Sequence, residues 1–565
     1  MKKLFFFAAL MTGASLMAQP AYQWNELLTG NEKSKVQSSI NEIRYNAQGE
    51  AFIGGSYGSL NKDARATLST DQETFMGYTY ESHAYYVGNS YHKNFMLVKL
   101  GADETPLWTV YSVKGEYTNG NAQTDLYPTK DGGAVVFMTM RYAEGDAALA
   151  KAGEGTTEYP LAWIVDAKKD TTKFNLTSTQ RSYQTVIARF DKDGQLTAAK
   201  LLKADDATYT NALSVETIVE DKDGYIYIAG NQGVDLTYDE HTIATTATGF
   251  SGSLTNVNNS FILKVDAALA YSNHITTSGT ANFMIIRDME YANDALYLYG
   301  TTGKTADATA TLADKTITLQ NELNFFTAKL NTNLASAQYL TRTTTVKYNT
   351  ANNFMYYGMT MAQDGKSFYF TGGMVGAIML KDDTVKAVGT KSGSYNGVVL
   401  QFDAQNGQLM NYYMREDATT APLDGNYYGW TVAQWGDSLY IPRWKLGKQY
   451  LDRFDKDLHY VETTDVAEAG TTTSVCYAAD SYNDRLLIGL RARNNGAFSV
   501  AGTDVDALNQ SAWFGVLAAY RLPEQHTALD IVPEDQTARK VMLSNGQVAI
   551  RRGNLLYDLL GNPIQ

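Results

Sequence analysis

One short pattern recurs along the chain and constrains its fold more than any other feature: an apolar residue, Phe or Tyr, an apolar residue, any residue, then Gly. It stands as AFIGGSYG at 51–58, IYIAGNQG at 226–233, LYLYGTTG at 296–303 and FYFTGGMVG at 368–376, which aligns Gly55, Gly230, Gly300 and Gly372. VVFMTM at 135–140, LYIPRW at 439–444 and LLIGLR at 486–491 are weaker copies, making seven. Each follows a polar turn (NAQG, TKDG, DKDG, YAND, AQDG, QWGD or SYND), and before the turn lies another short run such as INEIRY, LSVETIV or MIIRDMEY. Two short strands joined by an Asp/Asn/Gly turn predict a β-hairpin.

A second unit alternates with the first. Its copies begin NFMLVKL at 94, TVIARF at 185, SFILKV at 260, FFTAKL at 325, GVVLQF at 397, YLDRF at 450 and WFGVLAAYRL at 513. A long polar residue recurs inside it: Lys99, Arg189, Lys264, Lys329, Gln401, Arg453 and Arg521. Its stem suits packing and its head suits pairing with turn carboxylates. The last copy lacks a following strand, and YQWNELL at 22–28 resembles PLWTVYS at 106–112, with Trp24 matching Trp108. Seven four-stranded units completed by a strand from the N-terminus predict an all-β fold, a seven-bladed β-propeller closed by an N-terminal strand, over 19–522. Closure removes an exposed sheet edge. A short C-terminal β-hairpin tail occupies 523–565.

The N-terminus, MKKLFFFAALMTGASLMAQ, joins Lys2 and Lys3 to an apolar stretch ending at Ala18, the pattern of a secretory signal peptide over 1–18. No later run of apolar residues is long enough to span a membrane, so no transmembrane segment is expected. The predicted address is extracellular or the outer surface of a Gram-negative bacterium, with the periplasm as the other option. A formal net charge of −13 repels phosphate backbones and argues against nucleic acid as partner. The one cysteine, Cys476, has no partner in the chain and is expected to be a small buried hydrophobe.

The repeat resembles the SBBP seven-bladed propeller family, best echoed by FMLVKLGADETPLW and EDKDGYIYIAG. That resemblance implies a fold and no shared catalytic residue. FDAQNGQLMNYY at 402–413 is also similar to a quinoprotein-type blade. From Lys540 the tail resembles the end segment of proteins exported by type IX secretion, through Lys540, Val541, Gly546, Ile550, Gly553, Tyr557, Asp558 and Gly561. It implies contact with that secretion machinery; the other reading is a hairpin patch of the fold.

Motifs of chemistry are sparse. Gly54-Gly55-Ser56-Tyr57-Gly58 matches G-x-S-x-G, but a nucleophile elbow needs a helix after the turn, and Ser56 aligns with the small residue that follows each blade strand. DKDG at 191–194 and 221–224 lacks the further ligands of a calcium loop and reads as a turn. No cofactor, no metal site and no catalytic residue is assigned.

Departures from the repeat are more informative. Long insertions at 57–93, 141–183, 233–259, 303–323 and 374–396 lie between the second and third strands and predict a decorated binding face. The first carries Tyr78, Tyr80, Tyr85, Tyr86 and Tyr91, an aromatic set suited either to packing or to stacking on a ligand. Trp163, Tyr427, Tyr428, Trp430 and Trp444 are placed on the same side as candidate ligand contacts. The leading expectation is a noncatalytic secreted propeller binding protein or glycan through this face. A carbohydrate-active lyase or hydrolase with its site in the central channel, and a periplasmic or outer-membrane assembly scaffold, are the alternatives.

Overall fold

The computed structural model describes Gln19–Pro523 apart from 31–34, 37, 61–70, 83–93, 115, 118–125, 142–158, 177–183, 205–211, 246–258, 282, 304–306, 320–323, 347–352, 376, 381–382, 385–395, 416–426, 430, 446, 470–473, 494–497 and 506–512; beyond Pro523 it describes 539–542, 548–552, 555–557 and 563–564. Every regular element among the described residues is a β-strand. The chain divides into two compact units, Pro20–Arg521 and Met1–Gln19 with Leu522–Gln565.

The larger unit is a β-propeller. Among the described residues, seven of its sheets contain a four-strand antiparallel meander, here blades 1–7 in chain order. Blade 1 runs Ser39–Tyr45, Ala51–Tyr57, Asn94–Leu100 and Pro106–Lys114. The first strands of the others are Leu126–Pro128 with Glu116–Tyr117, Leu213–Glu220, Met284–Ala292, Asn353–Met361, Ala433–Trp435 with Tyr427–Tyr428, and Ser474–Tyr482. First strands touch the neighbouring blade around the ring and so line its axis. Ala21–Gly30 pairs antiparallel with Trp513–Arg521, from Ala21↔Arg521 to Leu28↔Gly515, and is the fourth strand of blade 7. The N-terminal closure expected from the sequence is therefore present.

Adjacent blades bury their apolar faces against each other. Phe52, Leu97 and Trp108 of blade 1 share a cluster with Val136, Val186 and Phe190 of blade 2, and Tyr297 and Tyr299 of blade 4 share one with Phe368 and Phe370 of blade 5. The matched tryptophans are matched for a reason: each indole N–H reaches the next blade's third-to-fourth-strand turn. Trp24 donates to Glu104 at 2.7 Å and Trp108 to the Lys192 carbonyl at 2.8 Å.

The recurring glycine has a steric cause. Each of four first strands skips a residue against its partner, at Asn41, Glu216, Arg287 and Tyr477. In blades 1, 3 and 4 the residue before the bulge faces the recurring glycine, and there the two strands lie close together. A Cβ on Gly55 would lie 2.3 Å from the Ser39 carbonyl, on Gly230 2.3 Å from Ser214, and on Gly300 2.1 Å from Ile285. Ser56 sits within the second strand of blade 1, its hydroxyl 2.9 Å from Ser39 Oγ, and among the described residues no helix follows.

In the DKDG turns the leading aspartate is engaged by its own turn: Asp191 Oδ1 accepts from the N–H groups of Asp193 and Gln195, and Asp221 Oδ1 from Asp223 and Tyr225. The recurring cation ties blade to blade. Lys99 Nζ donates to the Gly132 carbonyl at 2.9 Å, and Lys264 Nζ to Thr332 at 3.1 Å. Arg521 departs from the series: it pairs with Arg485, whereas the position opposite Leu487, which matches Lys99, is Ala519.

The insertions are taken up by the sheets. Each contributes a hairpin that adds to the last strand of the preceding blade or just beyond it: Asp71–Ser82 on blade 7, Tyr159–Leu176 on blade 1, Leu236–Ile243 on blade 2, Thr309–Thr318 on Ser278–Gly279 after blade 3, and Ala377–Thr384 on blade 4. Phe498–Val505, a hairpin that lies outside the five insertions expected from the sequence, does the same on blade 6. Covering edge strands this way blocks pairing with other chains. The smaller unit holds a four-stranded antiparallel sheet of Arg539–Met542, Val548–Arg552, Leu555–Tyr557 and Pro563–Ile564.

Candidate functional site: the central channel

Charge gathers on the first strands. Counted from the bulge, Arg44, Glu290 and Asp480 hold the same register position in blades 1, 4 and 7, and Glu42 and Asp288 stand one pleat earlier. Blade 4 is not a neighbour of blade 1 in the ring, so the contact between Arg44 Nη1 and Glu290 Oε1, at 3.8 Å, crosses the channel. Arg44 Nε also meets Glu42 Oε1 at 2.6 Å. Tyr127 of blade 2 is held close enough to feel the charges of Glu290 and Arg44.

The carboxylates differ in commitment. Asp480 Oδ2 accepts the Tyr45 N–H at 2.8 Å, joining blade 7 to blade 1. Asp288 Oδ2 accepts the Met359 N–H at 2.7 Å, joining blade 4 to blade 5. The innermost backbone edge has no further strand to pair with, and these acids satisfy its donors. Glu290 has no hydrogen bond among the described residues and retains 18% side-chain exposure, beside Arg44 at 21%.

Their environment is poorly solvated. Burial pushes the Glu290 carboxyl up to about 7 and the Asp288 carboxyl up to about 6, each opposed by Arg44. Burial also raises Asp480, against Arg44 and two backbone N–H groups. For Arg44, burial alone would lower the guanidinium; Glu42, Glu290, Asp480 and Asp288 more than offset it and hold it above its ordinary value. Carboxyls poised near neutrality beside a fixed cation are groups that bind polar ligands or exchange protons.

The candidates expected from the sequence lie on separate elements of the fold. Tyr80 is fully buried, its hydroxyl 2.9 Å from Thr109 Oγ1 and its ring beside Tyr57 and Tyr111. Tyr78 is half-buried on the same hairpin. Trp163 is half-buried in the hairpin added to blade 1, with its N–H on Asn175 and Lys173 Nζ 4.2 Å over its ring. Tyr428 is buried in blade 6, donating at 3.0 Å to Asp452, a buried carboxylate also held by Arg415, Arg443 and Thr463. Tyr427 pairs with Trp444 by backbone in blade 6. Tyr85, Tyr86, Tyr91 and Trp430 lie outside the described residues. Tyr80 and Tyr428 are thus packing residues here, without a ring face open to a ligand.

INEIRY and MIIRDMEY carry channel acids, and their pattern as hairpin strands does not mark those acids out. Their signal was a charge at alternate positions of strands that the fold buries on both faces.

No family model matches the chain, and no curated protein resembles it in sequence. Solved β-propellers resemble it in fold. Virginiamycin B lyase from Staphylococcus aureus, as an inactive variant with quinupristin, is 11% identical over 87% of this chain and 97% of its own, with a TM-score of 0.35. BamB from Moraxella catarrhalis is 10% identical over 73% of this chain and 99% of its own, with a TM-score of 0.26. A Synechocystis apocarotenoid oxygenase variant is 9% identical over 79% and 92%, with a TM-score of 0.31. At such scores the architecture rests on the strand pairing itself.

Proposed function

We propose that this chain is an exported binding propeller whose ligand, a saccharide, is taken at the central channel rather than at the tyrosine-rich insertion. The observation that carries this reading is the cross-channel pairing of Arg44 with Glu290, with Glu42, Asp288 and Asp480 around it. Planar carboxylates and a guanidinium match the paired hydroxyls of a sugar ring, and Tyr127 supplies an apolar face with a polar tip. The insertions, by contrast, serve as edge strands. Export is supported by the charged-then-apolar stretch ending at Ala18 and by the tail's likeness to type IX secretion segments. The repeat's likeness to the SBBP family supports a scaffold role for the blades.

A second reading has its own support. Carboxyls held near neutrality are suited to general acid work, so a channel hydrolase or lyase is the competing function. One experiment separates them: a polysaccharide panel scored for binding and for reducing-end or unsaturated product. Retention without product, weakened by Arg44→Met, supports the binding propeller. Product release that Glu290→Gln abolishes supports the enzyme. Binding untouched by both variants sinks the channel reading.

A further inference from the structure

Acceptors outnumber donors in the Arg44 cluster. Within that cluster one guanidinium stands against Glu42, Asp288, Glu290 and Asp480. It is already engaged by Glu42 at 2.6 Å, which leaves it poorly placed to receive an anionic ligand. Glu290 is the acid with partial exposure and no hydrogen bond among the described residues.

A second observation comes from the bulges. Asn41, next to Glu42 at the bulge of blade 1, is 4% exposed, and neither its Oδ1 nor its Nδ2 has a hydrogen-bond partner. Glu216, the bulge residue of blade 3, is 2% exposed and its Oε2 also lacks a hydrogen bond; it stands 3.9 Å from Arg287, the residue before Asp288. Buried polar atoms without partners are uncommon in native proteins and call for an occupant. The bulge tier therefore offers unmet polar atoms of both kinds, a donor in Asn41 Nδ2 and acceptors in Asn41 Oδ1 and Glu216 Oε2.

We propose that the channel takes a saccharide bearing a primary ammonium, an amino sugar, whose nitrogen seats against Glu290 and Asp480 while its hydroxyls meet the bulge tier. An ammonium supplies three donors and no acceptor, which answers the imbalance. The chain's net charge of −13 draws cations toward it. This inference rests on the channel being the saccharide site.

Calorimetry with kanamycin A, an amine-rich saccharide, and with its fully N-acetylated form tests it. Maltotriose serves as the neutral probe. The amine form should bind at least about tenfold more tightly than the acetylated form at about pH 7.5, the size expected for a charge-assisted hydrogen bond. Its affinity should fall severalfold by about pH 5.5, where Glu290 is protonated while the ligand amines stay charged. Glu290→Gln should remove most of the preference and its pH dependence, whereas Asp504→Asn on an exposed hairpin should leave both. Equal binding of amine and acetylated forms, or an equal loss in both variants, overturns the inference. Maltotriose binding that Arg44→Met weakens, with no amine preference, would overturn the inference and leave the saccharide reading standing. Absence of binding by all three probes overturns the amino-sugar site.

Discussion

At the scale of single residues, the glycine of the repeat and the acid of the channel make different demands. Gly300→Ala would place a methyl 2.1 Å from the Ile285 carbonyl and 2.5 Å from the Phe326 ring, with backbone on one side unable to yield. We expect a loss of about 2–3 kcal/mol by denaturant unfolding. Gly502→Ala meets nothing within 4 Å and is strained only by its φ of 76°, so it should cost about 1 kcal/mol. Equal effects would refute the steric account. For Glu290 and Asp288, folded carboxyls raised to about 7 and about 6 mean that the folded state holds protons the unfolded chain releases. Their contribution to stability is full below the unfolded value, near ~4, and is lost as pH rises through the folded values. Thermal stability should therefore drop between about pH 4.5 and about pH 7.5 from this source, and Glu290→Gln should flatten the drop. An unchanged slope in the variant would contradict the assignment.

Elements were legible where a local rule writes them. NAQG, DKDG and AQDG end in glycines at positive φ (Gly49, Gly224 and Gly365), and YAND reaches the same geometry with Asn293 and Asp294. Turn chemistry of this kind is visible in any window of sequence. What the insertions do was not visible, because a hairpin looks the same whether it stands free or pairs sideways with the preceding blade. Arg521 misled for a related reason: residue type matched Lys99, but only the ladder between the second and third strands of blade 7 shows that Ala519, not Arg521, stands opposite Leu487. The buried polar knot of blade 6 was equally hidden. Asp452 lies on one strand, Arg443 and Tyr428 on others, and Arg415 belongs to the blade before. Asp452→Ala removes the buried carboxylate that Arg415, Arg443, Tyr428 and Thr463 share and should cost about 3–5 kcal/mol, read by chemical denaturation. A cost below about 1 kcal/mol would show that water replaces the acid.

At the scale of the molecule, the ring closes because the first strand in sequence is the last strand in space. Trp24 and the ladder from Ala21 to Leu28 hold it there, with Arg485 reaching the Gly49 and Ala102 carbonyls of blade 1. Removing 19–30 exposes the Trp513–Arg521 edge. We expect a fall in Tm on the order of 10 °C and concentration-dependent association by light scattering; a monomer of unaltered Tm would contradict closure as the stabilising device. The architecture was legible because seven imperfect copies reinforce one another. The site was not, because Arg44, Glu290 and Asp480 come from three blades and no repeat predicts which residue of a ring will be charged. Amide hydrogen exchange, with and without the saccharide that the binding panel returns, tests the central claim most directly. The account predicts added protection across Glu42–Tyr45, Met289–Tyr291 and Ala479–Ser481, with the hairpin at Asp71–Ser82 unchanged. Protection confined to that hairpin, with the channel strands unaffected, would contradict it.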